Sequence, residues 1–405
     1  MTIPYVVQKG DTYLRICLRY GIHIQALMTH NPQLDLNQYA IPGQLIQIPQ
    51  AALNIYVIQP EDTFFSIASQ FQVPAQWLAN ANPSVNPRAL SPGQSIIIPY
   101  WCDERDIRRK AEYGPVQLQA DITRLASCYP FLRIEQIGES VLGQPIWAIG
   151  IGTGPFRIHA NGAVHANEWL TSAALMEFVE DYAMHYVNFT NWHGWNVHTA
   201  YERCTLWVVP MVNPDGVELV QEGVSCRPLY REQLLEWNQH NTQYSGWKAN
   251  IRGVDLNDQF PAHWKEERER RGVNKPAPMN YSGSTPLSEP EARALTEHVA
   301  SKRIDLALSF HSQGQEIYWN YRDYEPSESE AWAKQLGRAS GYRAVKLSGS
   351  DAGFKDWFIQ QYRKPGFTIE VGLGINPLPL SQLNTICRDV NHIMQSAING
   401  LKACE

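Results

Sequence analysis

No stretch of this sequence reaches the ~20 consecutive apolar residues of a membrane-spanning helix, which leaves a soluble protein or one held at a surface by something other than a helix. Positive charge is also scarce. The 34 Lys and Arg are outnumbered by 40 Asp and Glu, giving a formal net charge of −6, and no basic stripe offers a polyanion a binding face, so nucleic acid is set aside as a partner. CxxC spacing is absent. The seven cysteines (Cys17, Cys102, Cys128, Cys204, Cys226, Cys387, Cys404) are odd in number and scattered, which fits reduced core thiols better than a disulfide framework. The opening MTIPYVVQKGD lacks the basic start and apolar run of a secretory leader, so the expected place of synthesis and folding is a cytoplasm. Low-complexity tracts are missing too, and 44% hydrophobic with 11% aromatic residues is the composition of a folded chain. At 405 residues, two or three domains of about 100–200 residues are expected.

What is present first is a repeat. YVVQKGDTYLRICLRYGIHIQALMTHNP from Tyr5 aligns with YVIQPEDTFFSIASQFQVPAQWLANANP from Tyr56, with Tyr, Asp-Thr and Asn-Pro in step. Each copy closes with Pro-Gly-Gln and an apolar strand, IPGQLIQIP at 41–49 and SPGQSIIIP at 91–99. Thr12 or Thr63 can cap a helix whose apolar positions (Leu14, Cys17, Leu18; Phe65, Ile67, Ala68) fall at helical spacing, and a second short helix precedes Asn-Pro. This strand-helix-helix-strand order with its landmarks resembles the LysM domain over 5–49 and 56–99, and the resemblance implies binding of N-acetylglucosamine-containing glycan. By composition alone the landmarks serve packing and turns. The expected boundaries are 3–50, 54–100 and 101–405, with a polar connector from Tyr100 to about Gly114.

Beyond it, strand-like runs (PIWAIGIG, FRIHANGAV, TLWVVPMVN, IDLALSF, GFTIEVG) alternate with helical ones such as WLTSAALMEFVEDYAMHY and EPEARALTEHVASK. That alternation predicts an α/β fold whose sheet is largely parallel or mixed. Reactive groups in such sheets collect where strands end. His165 and Glu168 follow FRIHANGAV, His311 follows IDLALSF, and Glu370 lies in GFTIEVG. A His and a Glu three apart at a strand-to-helix turn, with a second His from another strand, form the His₂Glu set of hydrolytic zinc, one zinc ion per chain. Glu370 is then the general base. Asp255 is a candidate acceptor for the free N–H of a ligating His, and Lys248 or Arg252 can stabilise an oxyanion.

The order His165-x-x-Glu168, Asn213-Pro-Asp-Gly216, Gly253-Val-Asp-Leu-Asn257, Ser309-Phe-His311-Ser312, Thr368-Ile-Glu370 resembles the zinc carboxypeptidase family over roughly 103–405. The resemblance implies that family's mixed sheet flanked by helices, zinc ligands His165, Glu168 and His311, base Glu370, and a substrate-contacting Asn257. Where the family's exopeptidases carry an arginine for the substrate's terminal carboxylate, this chain has Asp258, which would repel it. Lys355 stands where the family reads the leaving side chain, and favours an acidic group; no residue of SGSDAGF supplies the family's tyrosine nearby. Both departures suit diaminopimelate, its far carboxylate at Lys355 and its ammonium at Asp258. The charged run WKEERERRG at 264–272 reads as a solvated helical face.

Glycan-binding repeats joined to such a domain resemble bacterial γ-D-glutamyl-L-diamino acid endopeptidases, which implies hydrolysis of peptidoglycan stem peptides, on cell wall or in a sporulating cell. Two other readings stay open: a zinc carboxypeptidase or deacylase of small acyl amino acids, and a non-catalytic glycan-binding wall protein.

Overall fold

The computed structural model describes residues 2–400 except 8–10, 21, 23, 36–38, 50–54, 72, 74, 76, 77, 80, 81, 83, 84, 99–111, 130, 188–190 and 227. The polar connector expected at 100–114 therefore lies mostly outside the described residues. Two compact units form: Met1–Asp106 with Ile122–Arg133, and Ile107–Asp121 with Ile134–Glu405.

In the first unit, strand β1 (Thr2–Val6) pairs antiparallel with β2 (Leu45–Pro49), and β3 (Ile55–Val57) with β4 (Ser95–Ile97). The repeated residues hold each copy together. Thr63 and Ser66 form a reciprocal capping box at the helix Phe64–Gln70, and the Thr12 hydroxyl accepts from the Arg15 N–H before the helix Tyr13–Tyr20. Asn31 donates to the carbonyls of Leu27 and Gln47 and accepts from the Gln47 N–H; Asn82 does the same with Leu78 and Ile97. One buried amide thus sews helix to strand in both copies, with both N–H donors and the oxygen engaged. Gly43 and Gly93 sit at φ +89° and +85°, the left-handed turn that Pro-Gly provides. Around these clamps Ile16, Leu27, Ile46 and Ile48 fill one small core, and Ile58, Ile67, Leu78 and Ile96 the other.

The second unit is built on an eight-stranded sheet of β5 (Arg133–Glu139), β6 (Pro145–Ile151), β7 (Phe156–Asn161), β8 (Cys204–Val209), β9 (Leu306–His311), β10 (Glu316–Tyr318), β11 (Arg343–Val345) and β12 (Gly366–Glu370). Its order is β11-β10-β12-β9-β7-β8-β6-β5. The central run β12-β9-β7-β8 is parallel, while β10 and β6 join antiparallel, so the sheet is mixed. Strands β10 and β11 have three residues each, too few for a period-2 pattern to emerge from the sequence.

Helices flank this sheet. Leu170–Val187, Ser329–Ser340 and Leu383–Ile398 pack together, and the first is buried over most of its circumference, which explains its lack of an apolar stripe. Helices Pro290–Lys302 and Phe354–Tyr362 bring Ala292, Leu295, Val299, Phe354 and Phe358 against Trp207, Val209 and Ala307. Phe354 and Phe358 are each almost wholly enclosed, a burial worth roughly 3–5 kcal/mol against alanine. Cys17, Cys204 and Cys387 are buried and outside any disulfide, as expected of core thiols, but Cys128 is disulfide-bonded, which corrects the expectation of reduced cysteines throughout. Pairing is set by proximity in the fold, which scattered spacing does not show.

A knot of buried carboxylates anchors the loop at 250. The Asn250 side chain donates to Glu289 at 2.9 Å and Glu291 at 3.3 Å, and the Val141 N–H donates to Glu291 at 3.2 Å. Burial pushes the Glu291 carboxyl up to about 7; its own and the Val141 N–H groups oppose this, and Asp215 and Glu289 reinforce it. The folded state therefore binds this proton more tightly than the unfolded chain, whose carboxyl titrates near ~4.3. The stabilisation is complete below that value and is lost as pH rises towards 7, on the order of a few kcal/mol. Glu291→Gln, which keeps an acceptor and removes the charge, should melt increasingly above the parent protein as pH goes from 5 to 8. Melting curves that shift in parallel across that range would show that Glu291 does not carry the linkage.

Candidate active site

The site begins where β7 ends. A Cβ on Gly162 would come within 2.9 Å of the Thr171 hydroxyl and 3.0 Å of Leu175, so the chain leaves the strand through a residue without a side chain. Thr171 then ties the turn: its hydroxyl accepts from the Ala163 N–H and donates to the Glu168 carbonyl, both at 2.8 Å. Asn213 clamps the same turn from β8's exit. Its N–H donates to the Ala163 carbonyl, its amide to the carbonyls of Val164 and Ala249, and its side-chain oxygen caps the helix Pro214–Glu222. The Ala166 N–H donates to the Lys248 carbonyl at 3.0 Å. His165 and Glu168 are thus fixed on a turn pinned from three segments, while His311 and Glu370 end neighbouring parallel strands in direct register.

His165, Glu168 and His311 converge, with one ligand-type atom from each within 4.8 Å of the others. His165 Nδ1 lies 2.9 Å from Glu168 Oε1, and His311 Nδ1 lies 3.0 Å from Glu168 Oε2. The two Nδ1 atoms face each other at 3.2 Å. Two ring nitrogens so close repel whether both present lone pairs or both present N–H, so the arrangement calls for a shared proton or a cation among them. On its far side His165 Nε2 meets Asp255 Oδ1 at 3.2 Å. Asp255 is itself fixed by the Asn257 and Asn280 N–H groups.

The electrostatics follow from burial against pairing. Burial pushes the Glu168 carboxyl up, yet His165 and His311 hold it well below the usual range. Burial lowers His165, but Glu168 and Asp255 raise it to about 10. Burial also raises Asp255, and His165, the Asn280 N–H and Lys248 more than reverse this. Glu370 lacks such partners: burial and the nearby Glu168 push it up to about 8, against His165 and Lys248. Glu370 and Lys248 share a cavity of about 440 Å³ with Asn167, Ser312, Tyr318 and Asn376. Lys248 Nζ stands 3.5 Å from Glu168 Oε1.

Two imidazoles and one carboxylate, buried and convergent, with a carboxylate behind one ring, are the donor set of catalytic zinc. The residues present fit that ion.

The remaining expected residues are distributed as follows. Arg252 does not join Lys248 in this cavity; the tight turn around Asn250, with Gly253 at φ +69°, sends its guanidinium to Glu289 at 3.6 Å. Asn257 bridges the Asp255 loop to the helix Phe354–Tyr362 by accepting from the Phe354 N–H at 3.3 Å. Both oxygens of Asp258 are taken by a fork from Arg271 at 2.9 and 3.0 Å, so no free carboxylate is offered to an ammonium there. Lys355 is buried, its ammonium on the Asn320 carbonyl at 2.7 Å and on Asp356. Arg271 comes from the run expected to be a solvated face. That expectation is corrected: Glu267 is buried in the same helix, and Arg270 and Arg271 serve the buried acids Asp351 and Asp258.

Two residues without a sequence signal of their own complete the setting of Glu168. The Ser312 N–H donates to Oε2 at 3.1 Å, and the Asn376 amide donates to Oε1 at 3.2 Å and to the Ser312 carbonyl at 2.6 Å. In the sequence Ser312 is part of the landmark at 309–312 with no role of its own, and Asn376 carries no spacing signal.

A family description, zinc carboxypeptidase, matches residues 118–391, and the LysM domain matches 5–49 and 56–99. The chain is 40% identical over 383 residues to γ-D-glutamyl-L-diamino acid endopeptidase 1 of Lysinibacillus sphaericus, covering 82% of this chain and 96% of that protein. In fold it resembles bovine thrombin-activatable fibrinolysis inhibitor, with TM-score 0.57 and 20% identity over 73% of this chain and 98% of the other. It also resembles carboxypeptidase A of Helicoverpa armigera, with TM-score 0.53 and 17% identity over 94% and 96%.

Asp255→Ala should weaken zinc binding about 10- to 100-fold by freeing the His165 ring. Competition with a chromophoric chelator measures this, with a thermal melt as the folding control. Unchanged affinity in a folded variant would assign Asp255 to the loop alone.

Proposed function

The chain belongs to the zinc carboxypeptidase family, and on that premise we propose that it hydrolyses the bond between γ-D-glutamate and a diamino acid in peptidoglycan stem peptides, held to glycan by its LysM domains. The observation that carries this reading is the assembly of His165, Glu168 and His311 beside Glu370 and Lys248 on a chain that also bears two LysM matches. The activity in the name of the Lysinibacillus sphaericus relative supports the choice of bond. Two tandem modules add avidity for a polymeric wall when both engage.

His165, Glu168 and His311 would hold zinc, which when bound supplies a Lewis acid for the scissile carbonyl and lowers the pKa of the attacking water. Glu370 accepts the proton of that water. Its raised proton affinity, about 8, falls when positive charge joins Glu168, so it begins as a base and can return the proton to the departing amine. Lys248 keeps its charge: burial lowers its pKa, but Glu168, Asp255 and Glu370 raise it above the usual value. It stands ready as the oxyanion partner. Arg252, directed to Glu289, is left out of this role. Asn257, at the edge of the Asp255 loop, contacts the substrate in this scheme. Asp258, held in the Arg271 fork, offers no free carboxylate for the ammonium.

Mass spectrometry of products from L-Ala-γ-D-Glu-diaminopimelate and its D-Ala-extended form tests the reading. Release of L-Ala-D-Glu from both is expected, with Glu370→Ala slower by about 10²- to 10⁴-fold. Trimming of a generic peptide from its C-terminus, with neither stem cleaved, would return the enzyme to ordinary carboxypeptidase action.

A further inference from the structure

The loop that leaves β12, at 371–378, serves two parts of the site at once. Gly374, Ile375 and Asn376 line the cavity that holds Glu370 and Lys248, and Ile375 stands 87% exposed on that wall. The next side chain, Asn376, reaches back to Glu168, one of the three groups that would hold zinc. Outer straps fix the loop on both sides. The Gly314 N–H donates to the Gly372 carbonyl at 2.9 Å, and the Gly374 N–H to Gln313 Oε1 at 3.3 Å. Opposite them, Gln382 Oε1 accepts from the Leu373 N–H at 3.0 Å, and Gln382 Nε2 donates to the Leu373 carbonyl at 2.6 Å.

The innermost strap is a clasp between Asn376 and Ser312. The Ser312 hydroxyl donates to Asn376 Oδ1 at 2.8 Å, and Asn376 Nδ2 donates to the Ser312 carbonyl at 2.6 Å. One N–H of each residue is left over, and both go to Glu168. The Ser312 backbone N–H meets Oε2 at 3.1 Å, and the second N–H of the Asn376 amide meets Oε1 at 3.2 Å. This orientation of the amide is forced, because turning it over would set Oδ1 against a carbonyl and a carboxylate oxygen, none of which can donate.

We propose that Asn376 is a positioning residue of the metal site: with Ser312 it grips Glu168 by both oxygens and fixes the plane of the carboxylate, and through the same amide it couples the cavity wall bearing Ile375 to that carboxylate. The proposal rests on the zinc site of the reading above and is indifferent to the bond that is cut. Its physical reason lies in what an ion would displace. His165 Nε2 is taken by Asp255, so an ion would claim the Nδ1 atoms of His165 and His311, the same atoms that now meet Glu168. The neutral donors left to orient the carboxylate are then the two N–H groups of the clasp. Coupling of this kind is reciprocal, so an ion that fixes Glu168 also steadies the loop.

Zinc affinity, measured by chelator competition on the parent protein, Asn376→Ala, Ser312→Ala and Ile375→Ala with a thermal melt of each, tests this. Asn376→Ala should bind zinc about 10- to 100-fold more weakly. Ser312→Ala, which keeps its backbone N–H and loses only the hydroxyl that orients the amide, should weaken binding by less. Ile375→Ala, on the same loop without a bond to Glu168, should match the parent. The visible spectrum of the cobalt-loaded protein, which reports ligand geometry, should change in Asn376→Ala and not in Ile375→Ala. Hydrogen exchange at Leu373 and Gly374 should slow when zinc is added to the parent and not when it is added to Asn376→Ala. Parent-like affinity and cobalt spectrum in folded Asn376→Ala and Ser312→Ala would assign the clasp to the architecture of the loop and overturn the proposal. Loop exchange that ignores zinc in the parent would overturn it too. These readouts need no stem to be cleaved, so a failure of the proposed reaction is told apart from a failure of the clasp.

Discussion

Glu168 is a carboxylate taken almost completely out of water, and the second unit is arranged so that this is tolerable. A lone buried carboxylate would be protonated or expelled. Here two imidazoles, a backbone N–H from Ser312, the Asn376 amide and the Lys248 ammonium converge on its two oxygens. These five groups come from four segments, so the turn after β7, the end of β9, the loop after β12 and the loop at 248 must all be placed before the charge is satisfied. Removing Glu168 would release the constraint that draws them together, and moving any of the segments would leave the charge stranded. The same donors would suit a dication, which would stand where a proton is otherwise shared between the rings.

Charge compensation at a distance is a second theme of this unit. The helix Trp264–Arg271 is mostly charged, yet two of its arginines neutralise acids buried elsewhere, Asp258 and Asp351. Asp258 consequently contributes rigidity beside Asn257. Buried ion pairs of this kind are weak sources of net stability but strong determinants of position. That property matters more than stability at the wall of a pocket.

In the first unit the conserved-looking pattern between the two copies is explained by architecture before any ligand is considered. Asn31 and Asn82 join helix to strand, Thr63 caps, and Gly43 and Gly93 turn the chain. A unit of under 50 residues has little core with which to hold its shape, so a few satisfied amides and turns do a large share of that work.

The α/β class, the repeat, the convergent His165, Glu168 and His311 and the placing of Glu370 beside them were legible in the sequence because each is a local signal: alternating apolar runs, a doubled landmark, or a chemically distinctive residue at the end of a strand. The central strands β7, β9 and β12 announced themselves by apolar runs long enough to read. What the tertiary structure alone decided is which side chains remain unspent. Lys248 and Arg252 lie four residues apart and were equivalent in sequence, but the turn at Asn250 sends one to Glu289 and leaves the other beside Glu168. Asp258 and Lys355 seemed free to read a substrate until Arg271, Asn320 and Asp356 claimed them. Asn376 became visible only once its loop returned to Glu168. The reason is common to these cases: chemical type is written in each residue, but whether a charge or amide is already paired depends on contacts between segments tens to hundreds of residues apart, which no local pattern contains.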